Sequence, residues 1–183
     1  MTVSEQPWTS AAPEAANRQL VQVPLAVLDA LGSNDLEAAR SLLSSPELTP
    51  YIASDECGGV WRRRAAQIRD RPGDAAWVTR LVVDARTGVL VGRAGFHGPP
   101  DERGMVEVGY SVDPLHRRRG HARAALRVML DVAAGDARVR VVRASVRPGN
   151  LASMGVLGRY GFEVVGEQWD DEDGLEKVLE VAV

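Results

Sequence analysis

A cluster of basic side chains in the middle of the chain is the first feature with evident chemistry. The stretch PLHRRRGHARAAL, residues 114–126, places His116, three consecutive arginines, Gly120 and His121 directly before an alanine-rich run. A strand is predicted to end at Pro114 and a helix to begin near Gly120, so the arginines would lie beside unpaired helix N–H groups. Such N–H groups bind anions, and glycine lets a phosphate approach the backbone. The stretch suits a pyrophosphate, although an arginine-rich loop that merely precedes a helix has the same composition.

The same cluster does not indicate a nucleic-acid interface. The chain of 183 residues has a formal net charge of −3, and no aromatic residues are interleaved with the arginines. The cluster is neither a Walker loop, which needs Gly-Lys-Ser/Thr, nor a dinucleotide fingerprint, which needs three spaced glycines. The acidic stretch DDEDG, residues 170–174, is predicted to be a solvated turn; the alternative is a role in attracting a cationic amine.

Composition excludes several other kinds of site. Cys57 is the single cysteine, so no internal disulfide or thiolate metal cluster can form, and a buried apolar role is expected for it. No spacing of histidines and carboxylates indicates a metal site, so no metal is expected. The sequence has no apolar run of about 18 residues and no secretory-signal pattern at its start. We therefore expect a cytoplasmic protein with no membrane partner.

The elements that must position these residues follow from the hydrophobic periodicity. Residues 1–18 are predicted to be a flexible lead-in, and residues 19–183 a single domain. The pattern predicts a first strand and three helices, followed by strands at 77–84, 88–97 and 105–113. It then predicts a helix from about Gly120 to Gly135, a strand at 139–146, a short helix from Asn150, and two final strands. This order, β-α-α-α-β-β-β-α-β-α-β-β, predicts a mixed α/β sheet.

Two blocks of sequence resemble a known family. VEVGYSVDPLHRRRGHARAAL resembles the central motif of the GNAT superfamily of acyl-CoA-dependent N-acyltransferases, Arg/Gln-x-x-Gly-x-Gly/Ala, through Arg117, Gly120 and Ala122. RPGNLASMGVLGRYGF resembles the second family block, Asn-x-x-Ser ahead of Gly-Phe, through Asn150 and Ser153. The two blocks occur in the family order, and the resemblance covers about residues 21–183. It is closest to the branch that includes the ribosomal-protein N-terminal acetyltransferases.

The resemblance implies a fold and a coenzyme site. The fold would be a mixed, mostly antiparallel central sheet with helices on both faces and one splayed pair of parallel strands, 105–113 and 139–146. Acetyl-CoA would bind as co-substrate in that splay, with its pyrophosphate on the helix start and the Val112 N–H stabilising the oxyanion of the reaction. Asn150 would hold the pantetheine arm or cap the second helix. The coenzyme-binding positions implied are Tyr110, Val112, Arg117, Arg118, Arg119, Gly120, His121, Ala122 and Asn150.

Glu107 and Ser153 are the candidates for proton transfer. Strand alternation places Glu107 on the face opposite Tyr110, where it could act as general base, directly or through water. A local bulge, usual in this family at this strand, could also re-aim it. The alternatives are an ordinary exposed glutamate, or His97 as the base. Many family members have a tyrosine where this chain has Leu157, so Ser153 is the predicted donor to the leaving thiolate, unless it only caps its helix.

The predicted function is that of an N-acetyltransferase that moves an acetyl group from acetyl-CoA to a primary amine by direct attack. The acceptor would be a protein N-terminus or a small molecule, and residues 25–74, which would shape its site, carry no signature that identifies it. Arg62, Arg63 and Arg64 weakly favour an anionic portion of the acceptor, or else form a solvated helix face. The alternative function is a non-catalytic acyl-CoA-binding regulatory module. A homodimer is left open.

Overall fold

The computed structural model describes Val3, residues 6–171 and residues 174–183. In this part of the chain the strands are β1 Arg18–Val21, β2 Arg80–Asp84, β3 Val89–Phe96, β4 Met105–Val112, β5 Val141–Val146, β6 Glu163–Asp170 and β7 Gly174–Ala182. The α-helices are α1 Leu25–Gly32, α2 Leu36–Leu42, α3 Asp55–Asp70, α4 His121–Ala134 and α5 Leu151–Gly158. The predicted order of elements is confirmed. The acidic turn predicted at 170–174 includes residues 172 and 173, which lie outside the described residues.

The strands form one sheet in the order β1-β2-β3-β4-β5-β7-β6. Neighbouring strands are antiparallel except β4 and β5, which run parallel. The pairing of β4 with β5 extends only from Met105 opposite Val141 to Glu107 opposite Arg143. Because β4 continues to Val112 and β5 to Val146, the two strands part beyond Glu107 and leave a wedge-shaped opening, as the family resemblance implies.

Hydrophobic clusters on both faces of the sheet hold its central strands in place. On one face Val106 and Val108 pack with Leu126 and Met129 of α4. On the other face Leu81 of β2 belongs to a cluster with residues of α1 and α3, such as Leu28 and Trp61. Each large apolar side chain buried in this way contributes roughly 1.5–3 kcal/mol to the free energy of unfolding. The central strands are therefore held from both sides, which makes them a rigid base for a site.

The N-terminal segment packs against the core, unlike the loose lead-in expected at residues 6–18. Trp8 is buried, exchanges backbone hydrogen bonds of 3.0 Å with Leu20, and lies 5.3 Å from the ring of Phe96. The buried guanidinium of Arg80 lies 3.9 Å from the centre of the Trp8 ring and donates to the carbonyl of Gln6. The packing of Trp8 corrects that expectation, whereas the domain boundary at residue 18 stays a prediction.

Local contacts define the starts of two helices. Asp35 caps α2, since its Oδ1 accepts from the N–H of Ala38 at 2.9 Å. Helix α3 begins at Asp55, and Cys57 is buried within it, as expected for this cysteine. None of the helices in the described ranges has the length and apolar character that crossing a membrane requires.

Candidate active site

Main-chain groups of β4 line the opening between β4 and β5. The N–H of His97 donates to the carbonyl of Glu107 at 2.8 Å, and the N–H of Asp113 donates to the carbonyl of Val91 at 3.0 Å. The odd-numbered residues of β4 therefore pair with β3, and in an antiparallel ladder the even-numbered residues direct their N–H groups to the opposite side. The last pair, Glu107 opposite Arg143, uses the N–H of Val108, so the N–H groups of Tyr110 and Val112 are the ones that face the opening. The predicted oxyanion donor, Val112, is thus one of two candidates.

The start of α4 forms the basic end of this opening. Gly120 is the N-cap residue with φ of 82°, and a Cβ at this position would meet nothing within 4 Å. The first N–H groups of α4, including those of His121 and Ala122, have no acceptor within the helix. Arg118 and Arg119 are exposed beside them, and Arg117 donates from Nε to the carbonyl of Val112 at 3.0 Å. Donors and positive charge therefore converge where an anion could approach the backbone closely.

The side chain of His121 points away from this anion site. It is buried, and its Nδ1 accepts a hydrogen bond of 2.9 Å from Nε of Arg18 on β1. Desolvation, reinforced by the charge of Arg18, lowers the pKa of the His121 imidazole to about 4. The imidazole is consequently neutral at pH 7. The side chain of His121 is thus bound to β1, and the coenzyme contact predicted for this residue stays a prediction.

Glu107 lies at the apex of the opening, where β4 and β5 separate. Its Oε1 accepts from the hydroxyl of Ser145 on β5 at 2.7 Å, and that hydroxyl accepts from Nε2 of Gln168 on β6 at 3.0 Å. The Nδ1 atom of His97 lies 3.8 Å from the same carboxylate oxygen. The side chain of Glu107 is 21% exposed, so the carboxylate is held in place and still accessible.

The bulge that was expected to re-aim Glu107 is not found between β3 and β4. Their register runs without a shift from Gly92 opposite Val112 to Phe96 opposite Val108. A shift occurs instead between β2 and β3, at Val82 and Val83. Glu107 reaches the opening because it is the last position at which β5 pairs with β4.

Helix α5 brings two hydroxyl groups together at the opening. Asn150 caps the helix, since its Oδ1 accepts from the N–H of Ser153 at 3.1 Å. The hydroxyl of Ser153 is 2.8 Å from the hydroxyl of Tyr110, and either can be the donor. Burial raises the pKa of Tyr110, so this phenol is protonated at neutral pH. The pair can therefore supply a hydrogen bond or a proton within the opening.

Two other positions of this block do not supply a hydroxyl to the opening. Leu157, at the position where many family members have a tyrosine, is buried in the core. The hydroxyl of Tyr160 donates to the carbonyl of Arg123 at 3.1 Å, on α4. Ser153, beside Tyr110 of β4, is thus the hydroxyl of this block that lies at the opening.

His97 is held beside Glu107 by residues of α3. Arg64 is buried, and its Nη1 donates to the carbonyl of His97 at 3.1 Å, which corrects the solvated position expected for this arginine. Nε2 of Gln67 donates to the same carbonyl at 3.0 Å. Desolvation lowers the pKa of His97, and the charge of Arg64 lowers it further, against the opposing effect of Glu107. The imidazole is therefore neutral at pH 7 and can accept a hydrogen bond from a water or an amine.

Tyr51, Ser111 and Ser145 contact the site but were not predicted. Tyr51 lies between α2 and α3, and its hydroxyl is hydrogen-bonded to Ser111 Oγ and donates to Glu56 Oε1 at 2.9 Å. Ser111 shares a strand face with Glu107, and Ser145 lies two residues after Arg143, the partner of Glu107. The period of two could have found both serines. Nothing in the sequence connects Tyr51 to a strand 60 residues away.

Metal chemistry has no candidate site in the described part of the chain. No three histidine, cysteine, aspartate or glutamate side chains there form a group that could hold a metal ion.

Comparison with known proteins relates these features to one family. The family model for the acetyltransferase (GNAT) domain matches residues 26–163. The uncharacterised N-acetyltransferase YjdG of Bacillus subtilis is 28% identical over 145 residues, which are 79% of this chain and 83% of that protein. The L-amino acid N-acetyltransferase AaaT of Escherichia coli is 27% identical over 138 residues, 73% of this chain and 80% of that protein. The solved complex of RimL, a ribosomal L7/L12 alpha-N-protein acetyltransferase, with coenzyme A has the same fold. The TM-score is 0.64 at 16% identity, and the match covers 93% of this chain and 97% of that one.

Proposed function

The chain belongs to the acetyltransferase (GNAT) family, and on this premise we propose that it transfers the acetyl group of acetyl-CoA directly to a primary amine. The observation that carries the proposal is the opening between β4 and β5, which has an anion-binding helix start at one end and a carboxylate at the other. Five steps of extended strand separate Glu107 from Val112, a span of roughly 17 Å. The two ends therefore belong to one channel along β4.

The residues at the wide end of the opening fit the coenzyme. The N–H groups of α4 and the side chains of Arg118 and Arg119 would hold the pyrophosphate. The N–H groups of Tyr110 and Val112 would bind the pantetheine arm, and Asn150 fixes the start of α5 beside it. When bound, acetyl-CoA supplies an activated acetyl group at the apex of the opening.

The residues at the apex would then accept one proton, donate another and stabilise the negative charge that develops during the reaction. Glu107 accepts a proton from the incoming ammonium group, directly or through a water next to the neutral His97. An N–H group of β4 stabilises the negative charge that develops on the thioester oxygen as the amine attacks. Ser153, hydrogen-bonded to Tyr110, donates a proton to the departing sulfur. No covalent bond to the enzyme is needed.

The acceptor in this proposal is an amine of a small molecule or of a protein N-terminus. The names of two similar proteins support an α-amine, since one acts on L-amino acids and the other on the α-amine of ribosomal L7/L12.

A homodimer stays a prediction. Strand β6 at the sheet edge leaves Val164, Val165 and Trp169 exposed, and these residues are where a second copy would pair. Light scattering would measure the assembly.

The experiment that tests the function combines coenzyme binding with turnover. Thermal melting with CoA and acetyl-CoA should raise the melting temperature, because ligand at about 100 times Kd stabilises the native state by roughly 2.7 kcal/mol. Thiol release from acetyl-CoA, measured over a panel of amines, should then identify acceptors. A melting shift without turnover for any amine would favour the alternative, a non-catalytic acyl-CoA-binding module. The absence of both effects would refute the coenzyme site itself.

A further inference from the structure

An arginine on the same sheet face as Glu107 has no carboxylate partner within the described part of the chain. Arg93 of β3 lies opposite Ser111 of β4, so its side chain emerges on the face that carries Ser111 and Glu107. The residue is half-buried, and its Nε is buried without a hydrogen-bond partner among the described residues. Burying part of a guanidinium without a partner is costly, so such a group calls for an explanation, and a bound ligand, ion or water that completes its hydrogen bonds is one.

The neighbouring charges leave an excess of positive charge at this place. The guanidinium of Arg93 is close enough to His97 and Arg64 to contribute to the lowered pKa of each. Arg64 is already committed to the carbonyl of His97, to Gln67 and to Thr79. Three arginines, Arg63, Arg64 and Arg93, therefore lie in this group with the carboxylates of Glu107 and Asp74, so positive charges outnumber negative ones. One further negative charge would balance the cluster.

The spacing of Arg93 and Glu107 suits a molecule with a charge at each end. Ser111, the strand partner of Arg93, is four residues from Glu107, which corresponds to roughly 13 Å between their backbone positions. Arg93 is near enough to His97, which lies beside Glu107, for its charge to lower the pKa of that imidazole, so Arg93 and Glu107 border the same region of the sheet face. The two side chains can therefore hold opposite ends of one small ligand.

We propose that the acceptor carries a carboxylate close to its reactive amine, as in a free α-amino acid, and that Arg93 binds this carboxylate. The proposal rests on the acetyltransferase function proposed above. Arg93 would hold the carboxylate with two parallel N–H donors, a geometry that guanidinium and carboxylate share. The ammonium group would then lie at Glu107, which removes its proton before it attacks the thioester carbon and displaces the thiolate. Arg93 would thus decide which amines enter in a productive orientation.

The test compares matched acceptors on the wild-type enzyme. A set of free L-α-amino acids, their carboxamides and short peptides with aspartate as the second residue would be assayed for thiol release from acetyl-CoA. We expect kcat/KM for the free acids to exceed that for the carboxamides at least tenfold. A preference for the aspartate peptides that depends on Arg93 would support carboxylate recognition and assign the carboxylate to a peptide side chain. Equal or better use of the carboxamides would overturn the proposal.

Two variants and one control separate recognition from folding. Arg93→Gln should lower kcat/KM for the free acids at least tenfold and leave that for the carboxamides within twofold, and Arg93→Lys should recover part of the loss. Arg159→Gln, which removes an exposed arginine at the end of α5, should change neither. An equal loss for acids and carboxamides, together with a lower melting temperature, would show that Arg93 is structural. If no amine is acetylated at all, the proposed function fails; if acetylation ignores the carboxylate, only the role of Arg93 fails.

Discussion

The two ends of the opening are built in different ways. The coenzyme end consists mainly of backbone, because the N–H groups of β4 and of the start of α4 face the opening and come from one continuous stretch of chain. The acceptor end consists of side chains from β3, β4, β5, α3 and the loop before α3. Glu107, His97 and Ser145 meet there although up to 48 positions separate them in the sequence (97 to 145).

This difference indicates how each end can change. A site made of N–H groups keeps its donors when side chains are replaced, provided that the backbone conformation survives. A site made of side chains loses a specific function with each substitution and can be adapted to a new acceptor without disturbing the coenzyme. Substitutions at the two ends should therefore affect different measurements.

The largest effect is expected from Glu107→Gln, which disables the acceptor end alone. The amide is isosteric but cannot accept the proton, and general-base catalysis contributes about 10²–10⁴-fold to a rate. We expect kcat/KM to fall at least 100-fold at pH 7.5, with an unchanged melting shift on addition of CoA. Steady-state thiol release and thermal melting measure the two quantities. Unaltered turnover would show that Glu107 is not the base, and His97→Gln would be tested next.

Gly120→Val should produce the opposite result and impair the coenzyme end. A β-branched residue at φ of 82° is strained by roughly 1–2 kcal/mol, and its side chain would obstruct an approaching phosphate. We expect the Kd for CoA, measured by calorimetry, to rise at least tenfold. Gly88→Val is the matched control, since Gly88 has φ of 72° and equally open surroundings. Equal weakening of CoA binding in both variants would mean that general destabilisation, and not the phosphate site, is responsible.

An intermediate effect is expected where the two ends meet, at Ser153 and Tyr110. Ser153→Ala and Tyr110→Phe each remove one hydroxyl of the pair and should lower kcat about fivefold, since loss of one neutral hydrogen bond costs about 1 kcal/mol. The double variant should lose little more than either single one, because both hydroxyls serve the same proton transfer. Single-turnover kinetics would measure the step. Fully additive losses would show that the two hydroxyls act independently.

The smallest effect concerns stability and the buried His121. Its pKa is about 4 in the folded protein and about 6.5 in an unfolded chain, so between these values the unfolded state binds more protons. Stability should therefore fall as the pH is lowered from 7 to 5, by on the order of 1 kcal/mol from this residue. Urea unfolding of His121→Gln should show a shallower dependence on pH than the wild type, with His116→Gln as the control. Identical slopes in all three proteins would contradict the assignment.

The strand and helix start at the proposed coenzyme end were predictable from sequence because their signal is local. Arg117, Gly120 and Ala122 lie within six residues, and the period of β4 already placed Glu107 and Tyr110 on opposite faces. The acceptor end was not predictable in the same way. Its contacts, such as Tyr51 with Ser111 and Arg64 with His97, join elements far apart in the chain. The suggested bulge is absent between β3 and β4. Glu107 lies at the opening because the pairing of β5 with β4 ends there, and the end of that pairing depends on the whole sheet.

The N-terminal segment shows the same dependence on distant contacts. Trp8 was assigned to a loose segment because short stretches rich in serine, proline and alanine seldom pack. It is buried because Phe96 and Arg80, more than 70 positions later, provide a surface for it. Local composition carries no information about such a partner.

That contact has a practical consequence for anyone handling the enzyme. The ring of Phe96 packs between those of Trp8 and Trp77, and the next residue, His97, lies beside the carboxylate of Glu107. Proteolysis that released about the first dozen residues would remove Trp8 from this aromatic packing and loosen the end of β3, which carries Phe96. Activity would then fall although the cleavage site is far from the bound substrates. The intact mass of each preparation should therefore be checked by mass spectrometry before rates are compared.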